Sequence, residues 1–560
     1  MFKRALLTGL LAIFLFACNQ NPKADICYTI TPVKVDSVSQ LKIHMSIPAD
    51  TSGVTTLSFP NEAWGEENLY NTLGDMHLLN VEGVVEKDAD SSRIVLMHPK
   101  DTEQLEFEYF LKQDFEGELS TRAVYRPVIN QDYFHLFSHN MFMVPKNTKD
   151  QLDISLDWTG FPKEYTIHNS FGSQEREQLL KHMDKELFGT AIFVGGDFRV
   201  LSGEIQGNQI SLATRGEWIP FQEEDVFQVL EQTLTCQRNF WNDHSQAYFT
   251  VTMQPFPQET GSSFQGTGLT NSFATSVSNN DFTDIEQLVY LFNHELMHNW
   301  IGHTIKNENE EEQYWFSEGF TEYYTFKNIA TNKINGLSGA FYIHEINRTI
   351  RDLYASPVVE APNADINYEN FWGNRDYSKL PYWRGAVFAF YLDQKIRETS
   401  KGKQSLDDVM HQIYKDVKAN DQKLTHAYFI KVMQKFFGDD FEAFFQKHIE
   451  EGTKVDLYGL FDELGLEYDP MNDVYELGFT FTEDRKGVQS IVEGSAAWNA
   501  GLREGDEVFS RSIWQGSIDH KVELGVKRNG KTLEFAFYPI KKAMVPQLKE
   551  TESNIKKLDF

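Results

Sequence analysis

Five residues, His294-Glu295-Leu296-Met297-His298, constrain this chain more than any other stretch of it. Around them Ile285, Leu288, Val289, Phe292, Leu296 and Trp300 recur at steps of three and four, which is the apolar stripe of a buried helix. Thr283 followed by Glu286 predicts the capping box that starts it. Residues four apart on a helix lie one above the other, so both imidazoles leave from one face. Two imidazoles placed in this way can share a zinc ion and keep Glu295 beside them as a base. The fold must then bring a second element to this helix to complete the site.

A zinc site of the thermolysin-like kind takes a carboxylate from another helix and leaves one position for water. The segment Trp315-Phe316-Ser317-Glu318-Gly319-Phe320-Thr321-Glu322-Tyr323-Tyr324 offers one. Its aromatic residues predict a mostly buried helix, in which a carboxylate requires a partner. Glu318 is the candidate third ligand. Glu322, one turn on, either accepts a hydrogen bond from a ligating histidine or is a solvated helix carboxylate. A third histidine in place of Glu318 is disfavoured, because Gly302 and His303 miss the positions that the alternative motif requires. His303 reads as a loop or packing residue.

These segments, with Asn299-Trp300 after the second histidine, resemble the gluzincin aminopeptidases. The glycyl aminopeptidase family is the nearer match and aminopeptidase N the more distant. Nineteen residues separate His298 from Glu318, one more than the aminopeptidase N pattern carries. The resemblance implies zinc-dependent peptide hydrolysis at His294, His298 and Glu318, with Glu295 as general base. Pro381-Tyr382-Trp383-Arg384-Gly385-Ala386 resembles the helix start that carries the family's oxyanion-stabilising tyrosine, which assigns that role to Tyr382. Substrate contacts fall, by the same resemblance, on the glycine-rich strand Gly266 to Ser272, with Gly268, Leu269, Thr270 and Asn271 as candidates. The family's glutamate for the substrate's amino group is missing from this strand. Aminopeptidase activity is thus the first reading. An endopeptidase with the same mechanism and an inactive, PDZ-bearing peptide-binding protein are the alternatives.

The amino terminus has Lys3 and Arg4 and then an apolar run from Ala5 to Ala17, the pattern of a secretory leader. It ends Leu15-Phe16-Ala17-Cys18, which resembles the lipobox of bacterial lipoproteins. Lipidation of Cys18 would hold the protein to a cell membrane on its outer side without a spanning helix. Near the other end Glu476-Leu477-Gly478-Phe479, Gly494-Ser495-Ala496-Ala497, Ala500-Gly501-Leu502 and Gly505-Asp506-Glu507-Val508 resemble a PDZ domain, with a peptide or protein ligand as its implied partner.

The expected organisation is multidomain α+β. A leader (1–17) and a lipidated tether (18–27) precede an amino-terminal β-sandwich-like domain (28–165). A thermolysin-like, mostly helical catalytic domain (166–460), a PDZ domain (470–540) and a charged, extended tail (541–560) follow. His135 and His139 also lie four apart, but they lack the glutamate and sit among aromatics, so packing is the better reading. Lys and Arg number 52 against 82 Asp and Glu, a net charge of −30 that disfavours nucleic acid as a partner. The acidic run Glu308-Asn309-Glu310-Glu311-Glu312 either faces the cleft or is a solvated loop.

Overall fold

A computed structural model of the chain describes residues 24–560. The leader, the lipobox and Cys18 lie outside the described residues. The tether ends earlier than expected, because Ile26–Val35 is already a strand.

That strand pairs antiparallel with Val38–Pro48 and parallel with Gln151–Asp157, inside a six-stranded sheet. Strict alternation drives its packing. Leu41, Ile43, Met45 and Ile47 are buried, as are Leu105, Phe107, Tyr109 and Leu111 on the neighbouring Gln104–Lys112. A four-stranded sheet contributes Leu57, Ile94 and Leu96 to the same core. The unit does not close at residue 165. Glu177–Asp184 forms the edge of the six-stranded sheet, and Ile167, Phe188 and Phe193 complete its core. A five-stranded sheet containing Tyr133–Phe137, Thr166–Asn169 and Ile192–Gly196 then leads to the next unit.

The second unit is built on five strands in the order Arg199–Ile205, Asn208–Thr214, Tyr248–Phe256, Ser272–Ser278, Phe264–Leu269. The three central strands run parallel, and Phe264–Leu269 lies antiparallel at the edge. The helices Glu223–Trp241 and Ile285–Met297 cover this sheet, burying Val229, Leu230, Leu288, Val289, Phe292 and Leu296 against Leu212, Val251 and Met253. The cap of the Ile285–Met297 helix is one residue later than the sequence suggests. Asp284 accepts from Gln287 N, and the Gln287 side chain returns to Asp284 N. Thr283 is instead consumed by Ser278 and Asn280.

A helical region follows, in which Gly319–Asn332, Gly339–Ala355 and Arg375–Ser400 pack around one aromatic-rich core. Among the described residues, no helix is long and apolar enough to cross a membrane. Cys27 and Cys236 sit in different units and are not bonded to each other.

Beyond it, Tyr468–Tyr475 pairs antiparallel with Ile540–Leu548. Between these strands lies a small β module with its own core of Phe479, Val488, Ala497, Leu502, Leu524 and Val526, and a short helix at Ala496–Ala500. Residues 541–560 are therefore not an extended tail. Lys541 and Lys542 occupy exposed positions of a strand whose Val545 and Leu548 are buried, and the helix Glu552–Lys557 follows. Leu558 is 3% exposed, and the Phe560 ring packs tilted against Tyr342 of the helical region, with ring centroids 4.3 Å apart. The lysines that suggested a tail lie at the solvent-exposed start of this strand, whose later residues are buried.

Candidate active site

His294 and His298 project from the last turn of Ile285–Met297 and the residue just beyond it. Glu318 sits at the junction between the helices Glu310–Ser317 and Gly319–Asn332. His294 Nε2 lies 3.4 Å and His298 Nε2 3.6 Å from Glu318 Oε2. The outer ring nitrogens have separate partners. His298 Nδ1 donates to the Ile301 carbonyl at 3.0 Å, and His294 Nδ1 to Glu322 Oε2 at 3.1 Å. Carbonyls and carboxylates only accept, so both Nδ1 atoms carry a proton and both Nε2 atoms face Glu318, where each can take a proton or a cation. Three electron-rich atoms thus converge, one per residue, all within 4.8 Å of one another.

This convergence fits a metal ion. Glu318 Oε2 is buried and has no hydrogen-bond donor among the described residues. Such an atom is costly unless a cation completes it. Two imidazoles and one carboxylate are also the donor set of a hydrolytic zinc site. The electrostatics agree. Burial opposes charge on His294, but the Glu318 and Glu322 carboxylates outweigh it and lift its pKa to about 10. Burial likewise opposes the Glu318 anion, yet His298, His294 and Tyr382 hold it down at about 2. The pocket is arranged for positive charge.

Glu322 is 4% exposed and its charge is well supported: Tyr290 donates to it, and Arg348 lies 3.8 Å from its other oxygen. Tyr290 is legible in hindsight, being four residues before His294 on the same helix face. Arg348, from the Gly339–Ala355 helix, has no local signal.

Tyr382 sits beside Pro381, in the second turn of Arg375–Ser400. Its ring stacks on His294 at 6.0 Å, and its hydroxyl interacts with Glu318. Two glycines make this approach possible. A Cβ on Gly385 would fall 2.0 Å from the Trp315 carbonyl oxygen, and one on Gly319 2.4 Å from Gly385 Cα. The tyrosine helix therefore crosses the carboxylate segment at backbone contact. Burial, with the charges of Glu318 and Glu295, pushes the Tyr382 hydroxyl well above its usual pKa and keeps it a donor. Glu295 is half-buried next to these groups.

The glycine-rich strand is brought to the same place in part. Gly268 faces His303, whose ring would lie 3.7 Å from an added Cβ. His303 itself is in the turn after His298, where burial lowers its pKa, and is outside the ligand cluster. The other three candidates have different surroundings. Leu269 is buried in the contact between units, and Thr270 gives its hydroxyl to the Leu187 carbonyl and touches Thr190. Asn271 is a left-handed turn residue (φ 50°). Of the four, only Gly268 is placed at the site by these contacts. The acidic run is used locally: Glu310 bonds Asn307 and Ser317, and Glu311 accepts from Tyr368 N.

No family model matches the chain. Among solved structures, an aminopeptidase N family protein from Idiomarina loihiensis superposes with a TM-score of 0.71 at 16% identity, over 95% of this chain and 99% of that one. The two proteins share a fold. An M1 zinc metallopeptidase mutant from Deinococcus radiodurans (TM-score 0.43, 12% identity, 78% of this chain, 95% of that one) and yeast LTA4 hydrolase (0.43, 11%, 77% and 68%) overlap more loosely and add nothing to that result.

Proposed function

We propose that this protein is a zinc-dependent peptidase of the gluzincin aminopeptidase kind. The observation that carries the reading is the convergence of His294 Nε2, His298 Nε2 and Glu318 Oε2 around an otherwise unpartnered buried oxygen. His294, His298 and Glu318 would hold the zinc, which when bound polarises the peptide carbonyl and makes water a competent nucleophile near neutral pH. Glu295 takes the proton from the attacking water and delivers it to the leaving amine. Tyr382 donates to the oxygen that gains charge in the transition state and so lowers the barrier selectively. Glu322 fixes the tautomer and orientation of His294.

The cleft has an open sheet edge for an extended peptide. The Gly266 carbonyl accepts from Tyr125, a side chain beyond the edge, so Gly266 turns its backbone outwards. By the alternation of an antiparallel ladder, Gly268 does the same. Aminopeptidase specificity is the first reading. The commitment of Thr270 to Leu187 and Thr190 favours an endopeptidase as the second, since nothing at that position meets an α-ammonium group.

The remaining features complete the proposal. Cys18 is the site of lipid attachment, placing the enzyme outside the cytoplasm on a bacterial membrane. The module between residues 476 and 537 is a PDZ domain of a glycyl aminopeptidase-like enzyme, supported by its ordered motif and its helix at Ala496–Ala500. The test is to measure zinc in the purified protein and hydrolysis of matched free and N-acetylated peptides. One zinc per chain, activity lost to a chelator, and a Glu295→Gln variant that keeps zinc but loses about two to four orders of magnitude in rate are expected. Absence of bound zinc, or an unchanged Glu295→Gln rate, rejects the proposal. Cleavage of the acetylated set selects the endopeptidase.

A further inference from the structure

Trp64 occupies a position that its own backbone disfavours. Ala63 and Glu66 exchange both backbone hydrogen bonds, at 3.0 and 2.9 Å, leaving Trp64 and Gly65 as the two central residues of a tight turn. Both have positive φ, 54° and 78°. Such a turn selects Asn, Asp or Gly at its first central position, and a bulky side chain there is a backbone outlier. The indole is nevertheless 39% exposed, so burial does not account for it. Strained residues of this kind concentrate at ligand-contacting sites.

The surroundings of Trp64 lead to the catalytic groups. Its ring meets His139 at 4.1 Å, Phe137 at 4.9 Å and Tyr125 at 6.1 Å, all edge-to-face. Tyr125 in turn donates its hydroxyl to the outward carbonyl of Gly266 at 3.0 Å. Burial, followed by the charges of Glu295 and Glu66, pushes the Tyr125 hydroxyl up to about 12, so it stays a donor. The loop carrying Tyr125 and the turn carrying Trp64 are tied by one guanidinium. Arg126 bonds Asp114 on its own side and both Glu66 Oε2, at 2.9 Å, and the Glu67 carbonyl, at 3.0 Å, on the other. The wall is built from the amino-terminal unit, fixed by an ion-pair cluster, and continuous with the open sheet edge.

We infer that Trp64 and Tyr125 form a subsite for an apolar or aromatic side chain of the peptide lying along the Phe264–Leu269 edge, next to the cleaved bond. This inference rests on the peptidase reading and gives it a substrate class. The chemistry is that of the wall itself. Stacked and edge-to-face rings favour another ring or a branched aliphatic group. The Arg126 guanidinium lies between two carboxylates, Asp114 and Glu66, so the cluster offers no unpaired cation and keeps a net negative charge beside the rings. At these two rings selection comes from a side chain.

Trp64→Asn is the informative variant, because asparagine suits the turn while removing the indole. It is compared with wild type on two peptide series, identical except for Phe or Ala flanking the cleaved bond. The wild type is expected to favour the Phe peptides. Trp64→Asn should lower kcat/KM for them by about tenfold or more, while the Ala peptides stay within about twofold. Its melting temperature should not fall, and Trp64→Phe should retain the preference. An unchanged Phe-to-Ala ratio in Trp64→Asn, or an equal loss on both series, overturns the subsite. Calorimetric binding of the same peptides to zinc-loaded Glu295→Gln protein, with and without Trp64→Asn, separates this from the peptidase reading. If wild type cleaves neither series but binding shows the Trp64-dependent preference, hydrolysis is rejected and the subsite stands. Binding with no such preference rejects the subsite.

Discussion

At the scale of single residues, the site divides its work between groups that touch the reacting atoms and groups that hold those in place. Tyr382 is of the first kind. Tyr382→Phe removes one donor to the transition-state charge and is expected to lower kcat by about 10²–10³, with KM and zinc content nearly unchanged. Glu322 is of the second kind. Glu322→Gln weakens the acceptor on His294 Nδ1 and also leaves Arg348 and Tyr290 facing a neutral group. A zinc affinity lower by about 10–100-fold, read by competition with a chromogenic chelator, is expected. The sequence exposed this site unevenly, for a physical reason. His294, His298 and Glu318 are coupled through helical spacing and local burial, which a linear reading detects. Arg348 and Tyr125 reach the site through tertiary packing, and their own neighbours in sequence say nothing of it. Trp64 left only a faint trace, a tryptophan before a glycine, and its backbone angle gives that trace a meaning.

At the scale of secondary-structure elements, the decisive contact is the crossing of Arg375–Ser400 over the Glu318 segment. Gly385→Ala puts a methyl group 2.0 Å from the Trp315 carbonyl oxygen, where only backbone movement can relieve it. Separation of the two helices would carry Tyr382 away from Glu318. The variant should lose stability by about 1–3 kcal/mol in urea titrations, and activity by more than that loss explains. Gly373, at the end of the preceding short helix, has nothing within 4 Å of an added Cβ, so Gly373→Ala is the matched control and should be near neutral. Strand and helix periodicities were readable in the sequence because one face of each element is apolar. The shift from Thr283 to Asp284 at the cap was not. Both residues are good caps, and the competing Ser278 contact that removes Thr283 is set by the fold.

At the scale of the whole molecule, buried histidines lie where the amino-terminal sheets meet the catalytic sheet. Burial lowers His135 and His168 to about 3 and His139 to about 4, from an unfolded value near 6.5. His168 meets Thr250 of the catalytic sheet at 2.6 Å. Above pH 6.5 these residues are neutral in both states and contribute no pH dependence. Below it the unfolded chain binds protons that the folded chain refuses, so stability falls with acid down to about pH 3–4. The slope is up to about 1.4 kcal/mol per pH unit for each histidine. Urea midpoints between pH 7 and 4.5 should show this decline, and His168→Gln should reduce its slope by one histidine's share. A slope that His168→Gln leaves unchanged would place the acid-sensitive groups elsewhere.

The return of residues 540–560 to the helical region has a consequence for how the protein is made. Asn347 hydrogen-bonds through its side chain to both the carbonyl and the N–H of Leu548, 201 residues further on. Tyr342 waits for Phe560 across a similar distance. A ribosome emitting the helical region therefore releases it with an open seam, and the whole β module must be synthesised before that seam can close. Contacts of such separation form late and slowly. In the interval the nascent chain has its metal-binding residues but an unfinished wall behind them. Assembly is thus ordered by the topology, with the helical region begun after the amino-terminal sheets and sealed last.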